Sequence, residues 1–133
     1  MARYGITTEE PAPATPVKFD HEFFNHRMIY NNGIFIIDDP GYYRIDIKSY
    51  YNKQGVACRV EDSVCIAKYV TFNLMINSEL VLHQFSRWAT AAPGSGIFYL
   101  NVFDTVFVSL GGGEGMRLSQ GETMNNIQIE KIY

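Results

Sequence analysis

Chemistry in a chain this short needs a few reactive side chains brought together, and the 3 histidines, 2 cysteines and 14 carboxylates are the first to weigh. His21, His26 and His83 are scattered. A metal-dependent jelly-roll enzyme sets two or three imidazoles and a carboxylate on neighbouring strands, so neither a zinc site nor a resident cofactor is implied. Cys58 and Cys65 lack the C-x-x-C spacing. They either close a disulfide in an oxidising compartment or stand as two thiols, buried or half-exposed. Asp38-Asp39 and Glu61-Asp62 are adjacent pairs. Neighbours on a strand face opposite ways, so neither pair alone makes the two facing carboxylates of a glycosidase. Asp38-Asp39-Pro40-Gly41 reads as a turn whose carboxylates accept backbone N–H groups. Glu61 and Asp62 offer oxygens to a calcium ion, which needs several more from elsewhere in the fold. No serine sits in a G-x-S-x-G elbow, and Gly111-Gly112-Gly113-Glu114-Gly115 lacks the Lys-Ser/Thr of a phosphate loop, so it reads as a strand connection.

Binding is better supported than catalysis. Phe85-Ser86-Arg87-Trp88 holds the single tryptophan beside an arginine, between two strand-like runs where a loop would present it. Trp and Arg dominate binding hot spots, which makes Phe85, Arg87 and Trp88 candidate ligand contacts, with Arg59 a further one. The competing reading puts Trp88 in a core or a subunit interface. Nine tyrosines and nine phenylalanines exceed what one small core holds, and Tyr50 and Tyr99 fall opposite the apolar positions of their strands. A second buried surface between copies of the chain accounts for them, with Tyr43, Tyr50, Tyr99, Phe107 and Tyr133 as its candidate residues.

The elements that must position these groups are strands. With 133 residues and 47% hydrophobic content the chain is long enough for one core. Eleven basic against 14 acidic residues give a net charge of −3, which argues against a nucleic-acid surface. No apolar stretch is long enough for a spanning helix, and residues 1–10 (MARYGITTEE) lack the apolar centre of a signal peptide. Thr7 to Pro16 holds three of the five prolines, so residues 1–16 read as an extended arm or linker and 17–133 as a single domain. Within it Tyr43, Ile45 and Ile47 alternate with Arg44, Asp46 and Lys48, the period of a strand with one wet face. The same period recurs at Phe72, Leu74 and Ile76, at Phe98, Leu100 and Val102, at Val106, Val108 and Leu110, and at Ile127 and Ile129. Asn31-Asn32-Gly33 is turn chemistry, whereas Asn77-Ser78 suits either a hairpin or a kink in one long strand. Seven to ten short strands without a helix predict an all-β sandwich or jelly roll.

Asn25, Tyr30, Gly33-Ile34-Phe35 and Pro40-Gly41-Tyr42-Tyr43 resemble the N…Y…G-x-F…P-G-x-Y motif of globular heads in the tumour necrosis factor-like, complement-type superfamily. Val70 to Leu82 is similar to the family's strand-turn-strand, with Asn77-Ser78 in place of Asn-Gly. Leu100 to Val108 resembles its L-x-x-G-D-x-V-x-V element, with Phe103 where the family has glycine. Ile127 to Tyr133 resembles the last strand of collagen-tipped bacterial exosporium glycoproteins, which share the fold. The resemblance covers about residues 17–133. It implies a ten-stranded antiparallel jelly roll in two sheets, assembled as a homotrimer, with no enzymatic activity and with loops that bind partners.

The function expected from residues and resemblance together is a trimeric recognition or adhesion head. It would be displayed outside a cell or on a particle and bind a protein receptor or surface glycan, with avidity from its three copies. The alternative is an architectural trimer of a virion, phage tail or spore surface with no soluble ligand. Neither calls for nucleic acid or insertion into a membrane.

Overall fold

In the computed structural model the described residues are 1–6, 10–11, 16–52, 69–87, 91–112, 117–118 and 125–132. Among them there are no helices, and twelve strands run β1 (Ala2–Gly5), β2 (Glu10–Pro11), β3 (His21–Asn25), β4 (Ile29–Asn31), β5 (Ile34–Ile36), β6 (Gly41–Asn52), β7 (Tyr69–Ile76), β8 (Glu79–Arg87), β9 (Ala91–Leu100), β10 (Thr105–Gly112), β11 (Arg117–Leu118) and β12 (Asn126–Lys131). Setting aside the two-residue β2 and β11 leaves ten. A seven-stranded sheet has the order β2-β11-β6-β12-β1-β3, with β9 pairing with β6 off this path, and a five-stranded sheet has the order β4-β5-β10-β7-β8. Every pairing is antiparallel. This is the expected all-β jelly-roll sandwich.

Alternation builds the core between the sheets. Tyr43, Ile45 and Ile47 of β6 and Ile127 and Ile129 of β12 point in from one sheet, and Phe35, Leu74, Val106, Val108 and Leu110 from the other, all buried. Val17 and Phe19 close one side, where the Val17 amide donates to the Val108 carbonyl at 2.8 Å.

The arm reading is corrected at its start. Ala2–Gly5 is an interior strand, bonded to β12 through Tyr4↔Ile127 and to β3 through Tyr4↔Glu22, with Ala2, Tyr4 and Ile6 buried. Its Ala-x-Tyr-x-Ile alternation is only three apolar positions long and adjoins the proline-rich stretch that masked it. Glu10–Pro11 pairs with β11. Residues 7–9 and 12–15 of the expected arm lie outside the described residues.

The first motif turns out to be a bridge between the sheets. The ring of Tyr4, from the large sheet, stacks on that of Tyr30, from the small one, at 4.3 Å between centroids, and both meet Phe35. Asn25 Nδ2 donates to Tyr4 Oη (2.8 Å) and to the Met28 carbonyl (2.9 Å), while its Oδ1 accepts the Met28 amide (2.9 Å). Tyr4 Oη donates to Glu22 Oε1 at 2.6 Å. Tyr30 Oη donates to the Phe19 carbonyl and accepts its amide, both at 2.9 Å. Burial, reinforced by the Glu22 carboxylate, pushes the Tyr4 phenol up to about 12, and burial raises Tyr30 and Tyr43 as well.

Two tight turns use left-handed backbone. Asn32 (φ 48°) and Gly33 (φ 95°) join β4 to β5, and Asn77 (φ 52°) and Ser78 (φ 66°) join β7 to β8. Positive φ at both central residues is the type I′ pattern that matches strand twist, so Asn77-Ser78 closes a hairpin. Gly33 also has no room for a side chain, because a Cβ there would sit 2.5 Å from the Val17 carbonyl oxygen.

Two outcomes are expected. Ser78→Gly relieves a left-handed non-glycine residue and should stabilise the domain by about 0.5–1 kcal/mol, read as a higher denaturant midpoint with unchanged slope. In the unfolded chain Tyr4 ionises near its ordinary value of 10, but in the folded protein it holds its proton to about 12. The contribution of Tyr4 is therefore complete below pH 10 and falls as pH rises through that window, by about 1.4 kcal/mol per pH unit. Denaturant melts between pH 9 and pH 12, with phenolate absorbance followed in parallel, measure it.

Candidate functional site

β6 and β9 pair without a break from Gly41↔Leu100 to Tyr50↔Ala91. β6 owes its length to alternation, but the first half of β9, Ala91-Ala92-Pro93-Gly94-Ser95-Gly96, has little intrinsic preference for a strand. It is one because β6 supplies the partner; among the described residues β9 pairs with β6 alone, and an edge strand tolerates a proline such as Pro93. Gly96 faces inward under the Phe98 ring, which a Cβ would meet at 2.6 Å. The alternation expected to run on through Val102 stops at Leu100, because residues 101–104 form a tight turn.

The outward faces of these two strands carry the candidate site. Tyr42 and Tyr99 stand directly opposite each other, with rings edge to face at 5.1 Å between centroids. They are 47% and 54% exposed, and the neighbouring Ile97 is 62% exposed. The Ile132 amide donates to the Tyr42 carbonyl at 2.7 Å and adds another exposed apolar side chain. Arg44 stands directly opposite Ile97, and from there the same face is polar: Asp46 accepts the Ser95 hydroxyl and lies 3.4 Å from the Arg44 guanidinium. There a depression of about 350 Å³ is lined by Asp46, Ile47, Lys48, Gly94, Ser95 and Asn126. These four exposed large apolar groups, Tyr42, Tyr99, Ile97 and Ile132, make this end of the face the candidate contact region. Around the end of the sandwich a cleft of about 430 Å³ holds Arg27, Asp38, Asp39 and Lys131, and Lys131 Nζ bonds Asp39 at 2.7 Å. That bond holds the Lys131 ammonium above its ordinary value.

The residues singled out by sequence fall in different places. Tyr99 lies on this exposed face, and Tyr50 is on β6 opposite Ala91. Tyr43 does not join them: it is 4% exposed in the chain's own core, with its hydroxyl donating to the Asp39 carbonyl, because its position on β6 shares the inward parity of Ile45 and Ile47. Phe107 is half-buried on the outside of the five-stranded sheet, since its neighbours Val106 and Val108 point into the core, so it and Tyr99 are on opposite faces of the sandwich. Phe85 and Arg87 belong to strand β8, paired with Thr71 and Tyr69, and not to a loop, because the β7–β8 hairpin continues that far. Arg59, Glu61, Asp62, Cys58, Cys65, Trp88 and Tyr133 lie outside the described residues. Among the described residues no group of three or more His, Cys, Asp or Glu side chains is placed to hold a metal ion. Sequence reasoning missed Tyr42 and Ile97, although both share the outward parity that singled out Tyr50 and Tyr99.

Comparison with solved structures gives close geometric matches at low identity. The crystal structure of murine APRIL at pH 8.0 superposes with a TM-score of 0.73 at 10% identity, covering 98% of this chain and 97% of that one. The structure of Eiger TNF from S. frugiperda superposes with a TM-score of 0.71 at 12% identity, covering 99% of this chain and 91% of that one. The chain has the tumour necrosis factor-like jelly-roll fold. No protein-family model and no curated protein matches the chain. The likeness therefore lives in three-dimensional arrangement, as expected when alternation and a few turns specify a fold and most surface positions are free to vary.

Proposed function

We propose that the chain is a non-enzymatic recognition head that works as a homotrimer outside the cell or on a particle surface, binding a protein receptor or surface glycan. The observation that carries the reading is the exposed Tyr42–Tyr99 pair with Ile97 on the β6–β9 face. An interface core is rich in aromatic residues, which the Tyr42–Tyr99 end of the sheet supplies, with Arg44 opposite Ile97 as a charged edge. The sequence resemblance to heads that assemble as trimers and the tumour necrosis factor-like fold support the same assembly. In it, Tyr42, Tyr99, Ile97 and Tyr50 pack at the contact between copies. Arg87, on β8, and Trp88 beside it are the proposed partner contacts, Arg and Trp being the residue types that anchor interfaces.

Light scattering on a sizing column should give three times the 15.2 kDa chain mass. Tyr99→Glu should shift it to one, because three carboxylates would be forced into an apolar contact, while the circular dichroism of the β fold stays unchanged. A wild-type monomer sinks the trimer. With the assembly intact, Arg87→Ala should weaken binding to a surface displaying receptors or glycans by about tenfold, the cost of losing one arginine anchor. Unchanged binding removes Arg87 from the site.

A further inference from the structure

Phe103 is the most exposed large apolar side chain among the described residues, at 82%, and its backbone is left-handed, with φ 72°. Each property alone is unfavourable. A bulky side chain at positive φ is a backbone outlier, and a phenylalanine ring in water gains nothing from the fold. Glycine would suit the position, and glycine stands there in the motif that Leu100 to Val108 resembles.

The turn is also unusually well held. The Phe103 amide donates to the Ile37 carbonyl at 2.7 Å, and the Ile37 amide donates to the Asp104 carbonyl at 2.9 Å. Asp104 Oδ2 accepts the Asn101 amide at 2.8 Å, and its Oδ1 accepts Asn77 Nδ2 at 2.9 Å. Asn77 Oδ1 in turn accepts the Thr105 amide at 2.9 Å. Three separate connections, after β5, between β7 and β8, and between β9 and β10, are locked together, and the ring projects from the junction. Strain kept in place by surrounding bonds is a feature of binding sites, and a ring presented on rigid backbone loses little freedom when it is captured.

The surroundings specify the partner. Val102 beside the ring is exposed and apolar. Asp104 follows it, Asp38 and Asp39 follow Ile37, and Glu79 follows the hairpin turn. Of these four carboxylates, Asp39 is bonded to Lys131, and Asp38 shares with it the cleft that also holds Arg27 and the Met1 ammonium, so the negative charge nearest the ring is that of Asp104 and Glu79. An aromatic tip within an acidic rim complements an apolar pocket edged by lysine or arginine, and it is repelled by an anionic bilayer.

We propose that Phe103 is the anchor of a second binding site, which inserts into an apolar, basic-rimmed pocket of a partner protein. The proposal rests on the recognition reading but not on the trimer.

Random peptides displayed on phage, selected on the full chain, are the probe, with Phe103→Asn as the comparison, since asparagine accepts left-handed backbone, and Phe103→Gly as a second variant. The expected result is enrichment of basic, apolar peptides that bind about tenfold or more weaker to both variants, as removal of an aromatic anchor requires. Both variants should keep the wild-type solution mass and melt at or above its temperature. Binders indifferent to Phe103 overturn this site and leave the recognition reading standing. A changed solution mass assigns the ring to contact between copies, and Phe103-dependent binding to phosphatidylcholine–phosphatidylserine vesicles assigns it to lipid; either overturns the proposal.

Discussion

Two sheets of short strands need something that holds them at one separation and one rotation, because apolar side chains alone pack in many ways. Here the stack of Tyr4 on Tyr30 crosses the gap, and each ring is anchored by its hydroxyl to a segment distant in sequence. Tyr4 reaches Glu22 and Asn25, and Tyr30 reaches both backbone groups of Phe19. A hydrogen-bonded aromatic pair at the edge of the core favours one arrangement, and a slip of register in β1 would carry the buried Tyr4 ring away from Glu22 and Asn25. The positions of β1, β3, β4 and β5 all follow from it. Asn25 is the hinge of this bridge, since its amide group bonds Tyr4 and Met28 together.

With that end fixed, the other end is organised by turns. The Asn77-Ser78 hairpin, the connection after Ile37 and the turn at 101–104 are cross-bonded through Asp104 and Asn77. Rigid turns at the end of a stable sandwich suit recognition, because the scaffold bears the folding energy and the turns are free to carry exposed groups. The surface consequently divides in two. The β6–β9 face carries the exposed Tyr42–Tyr99 pair that we propose packs on another copy, and the turn cluster carries the projecting Phe103 ring that we propose enters a partner's pocket.

How much of this was legible in the sequence depends on how local each feature is. Tyr43, Ile45 and Ile47 could be read as a core strand face because alternation is printed in neighbouring residues. Asn25, Tyr30, Gly33 and Phe35 could be recognised as a motif, but not that they form a bridge, since their partner Tyr4 lies in a segment read as an arm. The first half of β9 was invisible, because alanine, proline and glycine become a strand there only through the ladder with β6. Asn77-Ser78 stayed ambiguous because serine lacks the signature of glycine at a left-handed position. The candidate site was half legible: Tyr99 stood out by parity, whereas Tyr43 points into the core and Phe107 lies on the other sheet.

By itself the sequence determined the class of fold: period-two alternation, turn residues at the breaks and the absence of helical periodicity leave a β sandwich as the way to bury this much apolar surface. Only the tertiary structure decided which strands are neighbours, that residues 2–5 belong to the sheet, and which aromatic residues reach solvent. The physical reason is that alternation is set by the geometry of a single strand, whereas pairing and exposure depend on contacts between segments far apart in the chain. Those contacts are chosen by the burial and hydrogen bonding of the whole domain.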